Sequence, residues 1–350
     1  MPGPLLLFPT HYLGNFVLGM PWALDVMQQH PDSNLVLDTV FRDLSIMMGV
    51  PQERVIYYPR REIGKDQPTW HRLRHYVHFL QRLRSAKNRC VVDLEGERFT
   101  GVLSRLSGCH RRIGPTGKRA ERFYTETRDL DYHAHRFNAF REIASDFVST
   151  TAPSSVFRYR VPQAQAQKVR NLLLDNDVEG PFIVIHPGAS VDYKLWPAAH
   201  FAHLVEKFQQ SGRKVVWIGA GSLDAEMIGR VMDGVPASGV VDLCNKLSVA
   251  ELVSLFGHAS LFIGSDSGPM HLAASTGMQV IALFGPSLES IWAPLGDHTR
   301  VLRGPMPCAQ ECDASYCVNN YHCLTSLTAD RVYDEACRVL AADDCARQEP

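Results

Sequence analysis

Two short apolar runs in the second half of the chain constrain its fold most. Phe182–Ile185 is followed by His-Pro-Gly, and Leu261–Ile263 is followed by Gly-Ser-Asp-Ser-Gly-Pro and a helical stretch. Each run has the length and composition of a buried strand that ends in a turn. In an open α/β sheet, ligands bind beyond the carboxyl ends of such strands. The pattern therefore predicts a parallel sheet with a binding site at one edge.

The same alternation of strands and helices runs through both halves of the chain. In the first half we predict strands at 5–8, 35–38, 55–58 and 90–94, and helices at 17–29 and 70–84. In the second half we predict strands at 183–186, 215–218, 240–243, 261–263 and 280–284, and helices at 201–210, 224–232, 249–256 and 270–276. Such alternation is typical of parallel sheets with both faces covered by helices.

The length of the chain, 350 residues, suits two α/β domains. We predict two Rossmann-like, doubly wound domains that face each other across a central cleft. The N-terminal domain covers 1–165, the C-terminal domain covers 166–330, and a helix or tail covers 331–350. The polar segment Val161–Lys168 is the predicted linker. No apolar run reaches the roughly 20 residues of a membrane span, and no basic leader frames Leu5–Phe8, so we expect a cytoplasmic protein.

Charge is distributed unevenly along the chain. The net charge is −1, but residues 51–130 hold 18 basic and 9 acidic residues, whereas the rest holds 18 basic and 28 acidic ones. This excess has two interpretations, a solvated surface that keeps the protein soluble, or a field that attracts an anionic acceptor or a membrane face.

The turn at 264–271 has the features of an anion site. A helix that begins at Ser267-Gly268-Pro269 presents free backbone N–H groups and the positive end of its dipole, which suit a phosphate. Lys194 adds a mobile positive charge. We expect a diphosphate held by backbone, hydroxyl and ammonium groups, with Asp266 free to bind a sugar hydroxyl.

Four ordered motifs carry a resemblance to a known family. They are His186-Pro-Gly-Ala-Ser190, Lys194-Leu-Trp-Pro197, Gly264-Ser-Asp-Ser-Gly-Pro-Met-His271 and Phe284-Gly-Pro286, with weaker matches at 12–16, 20–21, 91–96 and 112–114. Together they cover most of residues 5–330, and the chain resembles glycosyltransferase family 9, the heptosyltransferases of lipopolysaccharide core, which have the GT-B fold. The resemblance implies transfer of a sugar, most simply heptose from ADP-heptose, to an anionic, lipid-linked saccharide. It implies contact with the inner face of the inner membrane and no nucleic-acid partner.

The resemblance also implies roles for individual residues. Asp266 would hold hydroxyls of the donor, and Lys194 would neutralise the departing nucleotide diphosphate. The diphosphate would lie against Ser190, Ser267, Gly268, Met270 and His271. Simpler interpretations remain for three of these residues, because Lys194 could be a surface lysine, Ser190 a turn residue and His271 a packed core residue. We expect no cofactor and no metal, since Lys194 and the helix N-terminus would do the work of Mg²⁺.

Asn15 departs from the family pattern. The family places an aspartate there as the general base, and an amide has no useful basicity. Three interpretations remain open. Another group serves as the base, with His11, Asp93 and Glu95 as candidates; the transfer needs little base; or the chain binds nucleotide sugars with weakened catalysis. Whichever holds, we expect the loop His11–Phe16 to line the cleft.

Two further features have alternative explanations. The apolar residues at 70, 73, 76, 77, 80 and 83 recur with a helical period opposite several arginines, which indicates either an ordinary packed helix or an interfacial, acceptor-binding one. Four cysteines, Cys308, Cys312, Cys317 and Cys323, could hold a structural metal, but they lack tight C-x2-C pairs, which favours reduced thiols or an occasional disulfide.

Overall fold

A computed structural model of the chain describes residues 3–117, 120–305 and 317–346. Contacts divide the chain into two compact units, unit 1 (Met1–Ser155) and unit 2 (Val156–Pro350). The division falls after Ser155, whereas the sequence analysis places the end of the N-terminal domain at residue 165. Within the described ranges, no helix is both long and apolar enough to cross a bilayer.

Unit 1 contains a parallel sheet, six strands wide among its described residues. The strands are β1 (Leu5–Phe8), β2 (Asn34–Asp38), β3 (Val55–Tyr58), β4 (Cys90–Asp93), β5 (Arg111–Pro115) and β6 (Glu126–Arg128). Their order is β3-β2-β1-β4-β5-β6, so β1 pairs with both β2 and β4. This is the Rossmann order, in which ligands bind where the strand order reverses, beside β1 and β4.

The helices of unit 1 cover the faces of this sheet. They are α1 (Leu13–Gln29), α2 (Arg42–Met47), α3 (Thr69–Ser85), α4 (Arg98–Leu106) and α5 (Arg136–Ile143). Helix α1 begins four residues before the prediction, because Gly14 and Asn15 are weak helix formers that give no signal. Burial of Phe16, which stacks on Phe41 with 4.3 Å between ring centroids, fixes this first turn instead.

Unit 2 repeats the architecture of unit 1. Its described strands are β7 (Phe182–His186), β8 (Lys214–Trp217), β9 (Val240–Asp242), β10 (Leu261–Ser265), β11 (Gln279–Leu283) and β12 (Thr299–Leu302). The order β12-β11-β10-β7-β8-β9 is again the Rossmann order, with the reversal between β7 and β10. The predicted doubly wound α/β architecture is therefore confirmed for each unit.

The helices of unit 2 include the segment predicted as a linker. They are α6 (Gln163–Leu174), α7 (Ala198–Gln210), α8 (Ser222–Met232), α9 (Val249–Phe256), α10 (Gly268–Ser275), α11 (Glu289–Trp292), α12 (His322–Thr325) and α13 (Ala329–Ala346). The linker prediction for Val161–Lys168 is wrong for most of its length, because α6 begins at Gln163. Gln163 and Gln167 are exposed, while Val169 is buried and Lys168 pairs with Glu251 of α9 at 2.8 Å.

The chain end beyond residue 330 is part of unit 2. Helix α13 lies along α7, where the Phe208 and Tyr333 rings are 5.2 Å apart and Lys207 pairs with Asp330 at 2.5 Å. Val332 and Ala336 belong to the hydrophobic core under this sheet. Trp196 belongs to the same core, fully buried with its indole N–H donating to the Leu327 carbonyl at 2.8 Å.

Candidate functional site

The carboxyl ends of β7 and β10 lie side by side at the strand-order reversal of unit 2. Gly264 of β10 pairs with His186 of β7, and a Cβ atom on Gly264 would approach the His186 carbonyl oxygen to 2.9 Å. Only glycine fits this approach without displacement. The register places His186 and Asp266 at the same edge of the sheet, where Rossmann-type sheets bind their ligands.

Helix α10 begins at this edge with an open N-terminus. Ser267 is its N-cap residue, with an extended backbone, and its hydroxyl makes no cap hydrogen bond. Pro269 occupies the first turn, where an N–H would have no partner within the helix. The backbone N–H groups of Gly268 and Met270 have no acceptor within the helix and point along its positive dipole end. The arrangement favours an anion such as a phosphate.

Lys194 and Asp266 form an ion pair beside this helix end. Lys194 lies in a short turn between β7 and α7, and its Nζ atom is 2.7 Å from Oδ2 of Asp266. In the structure the Asp266 carboxylate is therefore paired with the Lys194 ammonium, and its binding of a sugar hydroxyl stays a prediction. The Asp266 side chain is only 7% exposed, and a buried carboxylate needs a cation or hydrogen bonds to offset its desolvation.

His186 connects the N-cap serine to Asp224, an acidic residue that is not among the site residues predicted from the sequence. Its Nδ1 atom lies 3.2 Å from Ser267 Oγ, and its Nε2 atom lies 3.2 Å from Asp224 Oδ2. An ionised carboxylate only accepts hydrogen bonds, so Nε2 carries the proton that faces Asp224. The imidazole thereby fixes the direction of the Ser267 side chain.

Asp224 is held from several sides in the first turn of α8. It accepts a hydrogen bond from the Ala220 N–H at 2.8 Å. Burial acts to raise the pKa of Asp224, but the hydrogen bond and charge of His186 and the hydrogen bond from the Ala220 N–H together outweigh it, and the pKa lies below its ordinary value. A Cβ atom on Gly188 would lie 1.8 Å from Asp224 Oδ1, so the loop after β7 depends on glycine there. The sequence signal was an acidic residue in the first turn of a helix that follows a strand.

The other predicted donor residues occupy different environments. Met270 is fully buried, so only its backbone can face a ligand, and His271 is also buried within α10. Ser190 is exposed in the turn that follows β7.

Arg303 supports the neighbouring loop after β11. Its Nη2 atom donates to the carbonyl oxygens of Gly285 and Ser287, in the loop opened by the predicted Phe284-Gly-Pro motif. A Cβ atom on Gly285 would approach Leu324 Cβ to 2.8 Å, which explains glycine at this position. The motif is evident in the sequence but its partner Arg303 is not, because no local pattern links the loop to a residue that follows β12.

In unit 1, His11 and Asn15 lie at the carboxyl edge of the sheet. His11 is exposed in the loop after β1, with its ring 4.0 Å from that of Tyr12, and Asn15 is half-buried in the first turn of α1. Partial burial, together with the positive charge of Arg60, lowers the pKa of His11 below its ordinary value. At neutral pH the imidazole is therefore neutral and can accept a proton.

Arg60 and Asp38 form a pair at the same edge that sequence reasoning misses. Asp38 ends β2 almost fully buried, and Arg60 Nε donates to its carboxylate. Arg60 also donates to the Pro9 carbonyl at 2.8 Å and lies over the Tyr58 ring at 5.3 Å. The pair fixes the loop that carries His11. Asp38 can be found in the sequence as the polar residue that ends a buried strand, but no local pattern links it to Arg60.

Asp93 and Glu95, the other candidates for the base, are both buried after β4. The Asp93 carboxylate accepts hydrogen bonds from the Glu95 and Gly96 N–H groups at 3.0 and 3.1 Å, and from the Tyr124 hydroxyl at 2.7 Å. Burial raises the pKa of Asp93 despite these donors. A fully buried carboxylate with these partners supports a turn and offers little access to an acceptor hydroxyl.

The cysteine cluster lies only partly within the described residues. Cys308 and Cys312 lie outside them. Cys323 is buried in α12, and Cys317 is a half-buried free thiol that accepts a hydrogen bond from the Tyr321 N–H. Over the ranges that the structure describes, no group of three or more His, Cys, Asp or Glu side chains is arranged to hold a metal ion.

Comparison with known proteins assigns the family. The model of glycosyltransferase family 9 (heptosyltransferase) matches residues 76–322, more than half of the chain. Lipopolysaccharide heptosyltransferase 3 of Escherichia coli is 24% identical over 305 residues, which are 81% of this chain and 84% of that protein.

Two solved structures share the fold. E. coli ADP-heptose lipopolysaccharide heptosyltransferase II has a TM-score of 0.76 at 17% identity and covers 97% of this chain and 99% of its own. E. coli heptosyltransferase WaaC with ADP has a TM-score of 0.71 at 21% identity and covers 96% and 99%. The fold is therefore GT-B, as the resemblance implies, and the chain is a glycosyltransferase that belongs to family 9, the heptosyltransferase family.

Proposed function

We propose that the chain transfers heptose from ADP-heptose to an anionic, lipid A-linked saccharide of the lipopolysaccharide core. The observation that carries this proposal is the anion site at the N-terminus of α10, with the Lys194–Asp266 pair beside it. The names of the relatives, heptosyltransferases of lipopolysaccharide, support the sugar and the acceptor class. The acceptor would be reached at the cytoplasmic face of the inner membrane.

The donor half of the reaction would use unit 2. The diphosphate would lie against the Gly268 and Met270 N–H groups and the Ser267 hydroxyl that His186 orients. Lys194 would turn from Asp266 toward the diphosphate and stabilise the negative charge that grows as ADP leaves. The Asp266 carboxylate, released from the ammonium, would then accept hydrogen bonds from donor hydroxyls. In this proposal, no resident metal is needed to neutralise the leaving group.

The acceptor half of the reaction would use unit 1. His11 would accept the proton of the acceptor hydroxyl as that oxygen bonds to the anomeric carbon. Its exposure and its lowered pKa support this role, because a general base must be neutral and accessible at the working pH. Asn15, in the first turn of α1, would hold the acceptor by hydrogen bonds without acting as a base.

One observation favours a second candidate function. With Asn15 in place of the family's aspartate, the chain could bind a nucleotide sugar and turn it over weakly or not at all. A transferase that uses another nucleotide sugar is the related alternative.

A donor screen separates these functions. Calorimetry with ADP-heptose, UDP-glucose and GDP-mannose should show tightest binding of ADP-heptose, and radiolabelled heptose should pass to heptose-deficient lipopolysaccharide. Binding of ADP-heptose without transfer would establish the second candidate function. Preference for a different donor, with transfer, would replace the sugar in the proposal.

A further inference from the structure

Helix α3 of unit 1 is apolar on two opposite faces. Phe79 and Leu83 point inward, into the core cluster that includes residues of β1, β2, β3 and β4. On the outer face, Trp70, Leu73 and Val77 are 66%, 62% and 44% exposed. A spacing of three and four residues keeps 70, 73 and 77 on one side of the helix. The apolar residues that the sequence predicts to share one face are thus divided between the core and the surface.

This outer face is unusual for a surface helix. The solvent side of a packed amphipathic helix is normally polar, and exposed large apolar side chains normally occur singly. Here three of them adjoin one another along two turns, beside the exposed Arg74 and His78. An apolar stripe bordered by basic residues indicates a surface that leaves water for a partner.

The charge of α3 restricts the chemistry of that partner. Thr69–Ser85 contains four arginines and no acidic residue. Arg72 and Arg84 donate to the carbonyl oxygens of Ile63 and Leu106, at 3.1 and 2.9 Å, so their charges stay close to the helix. A second copy of this face would be repelled by its own charge, and an anionic partner would be attracted.

We propose that the outer face of α3 binds the surface of an anionic phospholipid bilayer, with Trp70, Leu73 and Val77 inserted between head groups. Tryptophan is favoured at the membrane–water boundary, and aliphatic side chains gain from the acyl region. A nucleic acid would attract the arginines but offers no apolar phase for Leu73 and Val77. The inference concerns the outer face of α3, which carries none of the residues proposed above to bind the donor or to act on the acceptor hydroxyl, although both proposals place the protein at a membrane.

Vesicle binding by the full-length protein tests this surface without donor or acceptor, so its outcome is independent of the proposed transfer. The protein should sediment with vesicles of phosphatidylcholine containing phosphatidylglycerol and only weakly with phosphatidylcholine alone. The double variant Trp70→Ser, Leu73→Ser should partition about tenfold less or weaker still, because each apolar side chain left in water forfeits its transfer free energy. Each unit of positive charge near an anionic surface strengthens binding about fivefold. Arg74→Glu changes the charge by two units, so it should lower partitioning roughly thirtyfold at low salt.

A matched control comes from α8. Leu223 is 72% exposed on that helix of unit 2, and Leu223→Ser should leave vesicle binding unchanged. Because all the replaced side chains are exposed, thermal unfolding of every variant should match the wild type, which separates loss of binding from loss of fold. If the double variant unfolds at a lower temperature than the wild type, the test rests on Arg74→Glu and on the quenching of Trp70 emission by brominated lipids.

Trp70 also reports insertion directly. It is the most exposed of the five tryptophans, since Trp22, Trp196 and Trp217 are buried and Trp292 is half-buried. Brominated lipids in anionic vesicles should quench wild-type emission, and Trp70→Phe should bind while losing this quenching. The proposal is overturned if anionic vesicles do not bind, if Trp70→Ser, Leu73→Ser binds them as the wild type does, or if only heparin, a soluble polyanion, is retained through this face.

Discussion

Lys194 and Asp266 hold each other in unit 2, so substitutions at the two residues should not be additive. Lys194→Ala should lower kcat about 10²–10³-fold, the usual loss when one preorganised group that stabilises the leaving charge is removed. Asp266→Ala should weaken donor binding by about 1–3 kcal/mol. Lys194→Ala leaves the Asp266 carboxylate to repel the diphosphate, and Asp266→Ala removes that carboxylate. The double variant should therefore lose less binding and activation free energy than the sum of the two single variants.

A double-mutant cycle on donor Kd and on kcat measures this coupling. Lys207→Ala is the control, because it breaks a lysine–aspartate pair with Asp330 that lies between α7 and α13, away from the strand ends. It should leave donor binding unchanged. Additive effects of Lys194→Ala and Asp266→Ala would contradict the pairing.

Asp224 should contribute stability that depends on pH. Its pKa is lowered in the folded chain, so this stability is fully present above the unfolded pKa and is lost as pH falls through the folded value. Asp224→Asn should lower the free energy of unfolding by about 1–2 kcal/mol near neutral pH, and the difference from wild type should shrink below about pH 4. Urea unfolding of both proteins over this pH range measures the difference in the free energy of unfolding. A difference that grows in acid would show that the pKa of Asp224 is not lowered in the folded chain.

His11 should impose an acidic limb on the pH profile of transfer. The reaction needs the neutral imidazole, and a lowered pKa keeps it neutral to lower pH, so kcat/KM should fall only below the ordinary value of 6.5. His11→Gln should remove this limb and most of the rate, whereas Asn15→Asp should give little gain. An unchanged profile in His11→Gln would exclude His11 as the base, and a large gain in Asn15→Asp would show that Asn15 marks the position of the missing base.

At the scale of elements, two glycines of unit 2 give opposite predictions for the same substitution. Gly188→Ala should destabilise the protein by about 1–3 kcal/mol and weaken donor binding, because its Cβ would overlap the Asp224 carboxylate at the start of α8. Gly229→Ala, inside α8 with open space around the added atom, should stabilise by about 0.5–1 kcal/mol. Thermal unfolding and donor titration check both. Equal effects would mean that the loop after β7 yields to the added methyl group.

At the scale of the whole molecule, the basic excess of residues 51–130 should distinguish the two substrates. If it attracts an anionic acceptor, acceptor KM should rise steeply with salt and donor KM less, as the screening length falls from about 10 Å at 0.1 M to about 3 Å at 1 M. Steady-state kinetics at several salt concentrations measure the slopes. Equal slopes would indicate that this basic excess serves solubility and does not attract the acceptor. Arg72 and Arg84 are poor positions for charge reversal, because both also bond to backbone carbonyls.

The strand–helix alternation, the parallel sheets and the strand ends where polar residues gather are all predictable from the sequence. These features follow from local periodicity and turn chemistry, which the chain carries within short windows. For this reason α9 was predicted with its observed bounds, Val249–Phe256, and Lys194, Asp266 and Ser267 were found as candidates together with the helix N-terminus.

Which of these residues contact one another depends on how the strands and helices pack. The Lys194–Asp266 pair joins positions 72 residues apart, and the His186–Asp224 contact joins positions 38 apart. Such contacts depend on strand register and on the need to pair buried charges, neither of which is encoded in a local pattern. The same holds for α3, whose apolar period was visible in the sequence. Which apolar residues enter the core and which face solvent was set by the sheet against which the helix packs.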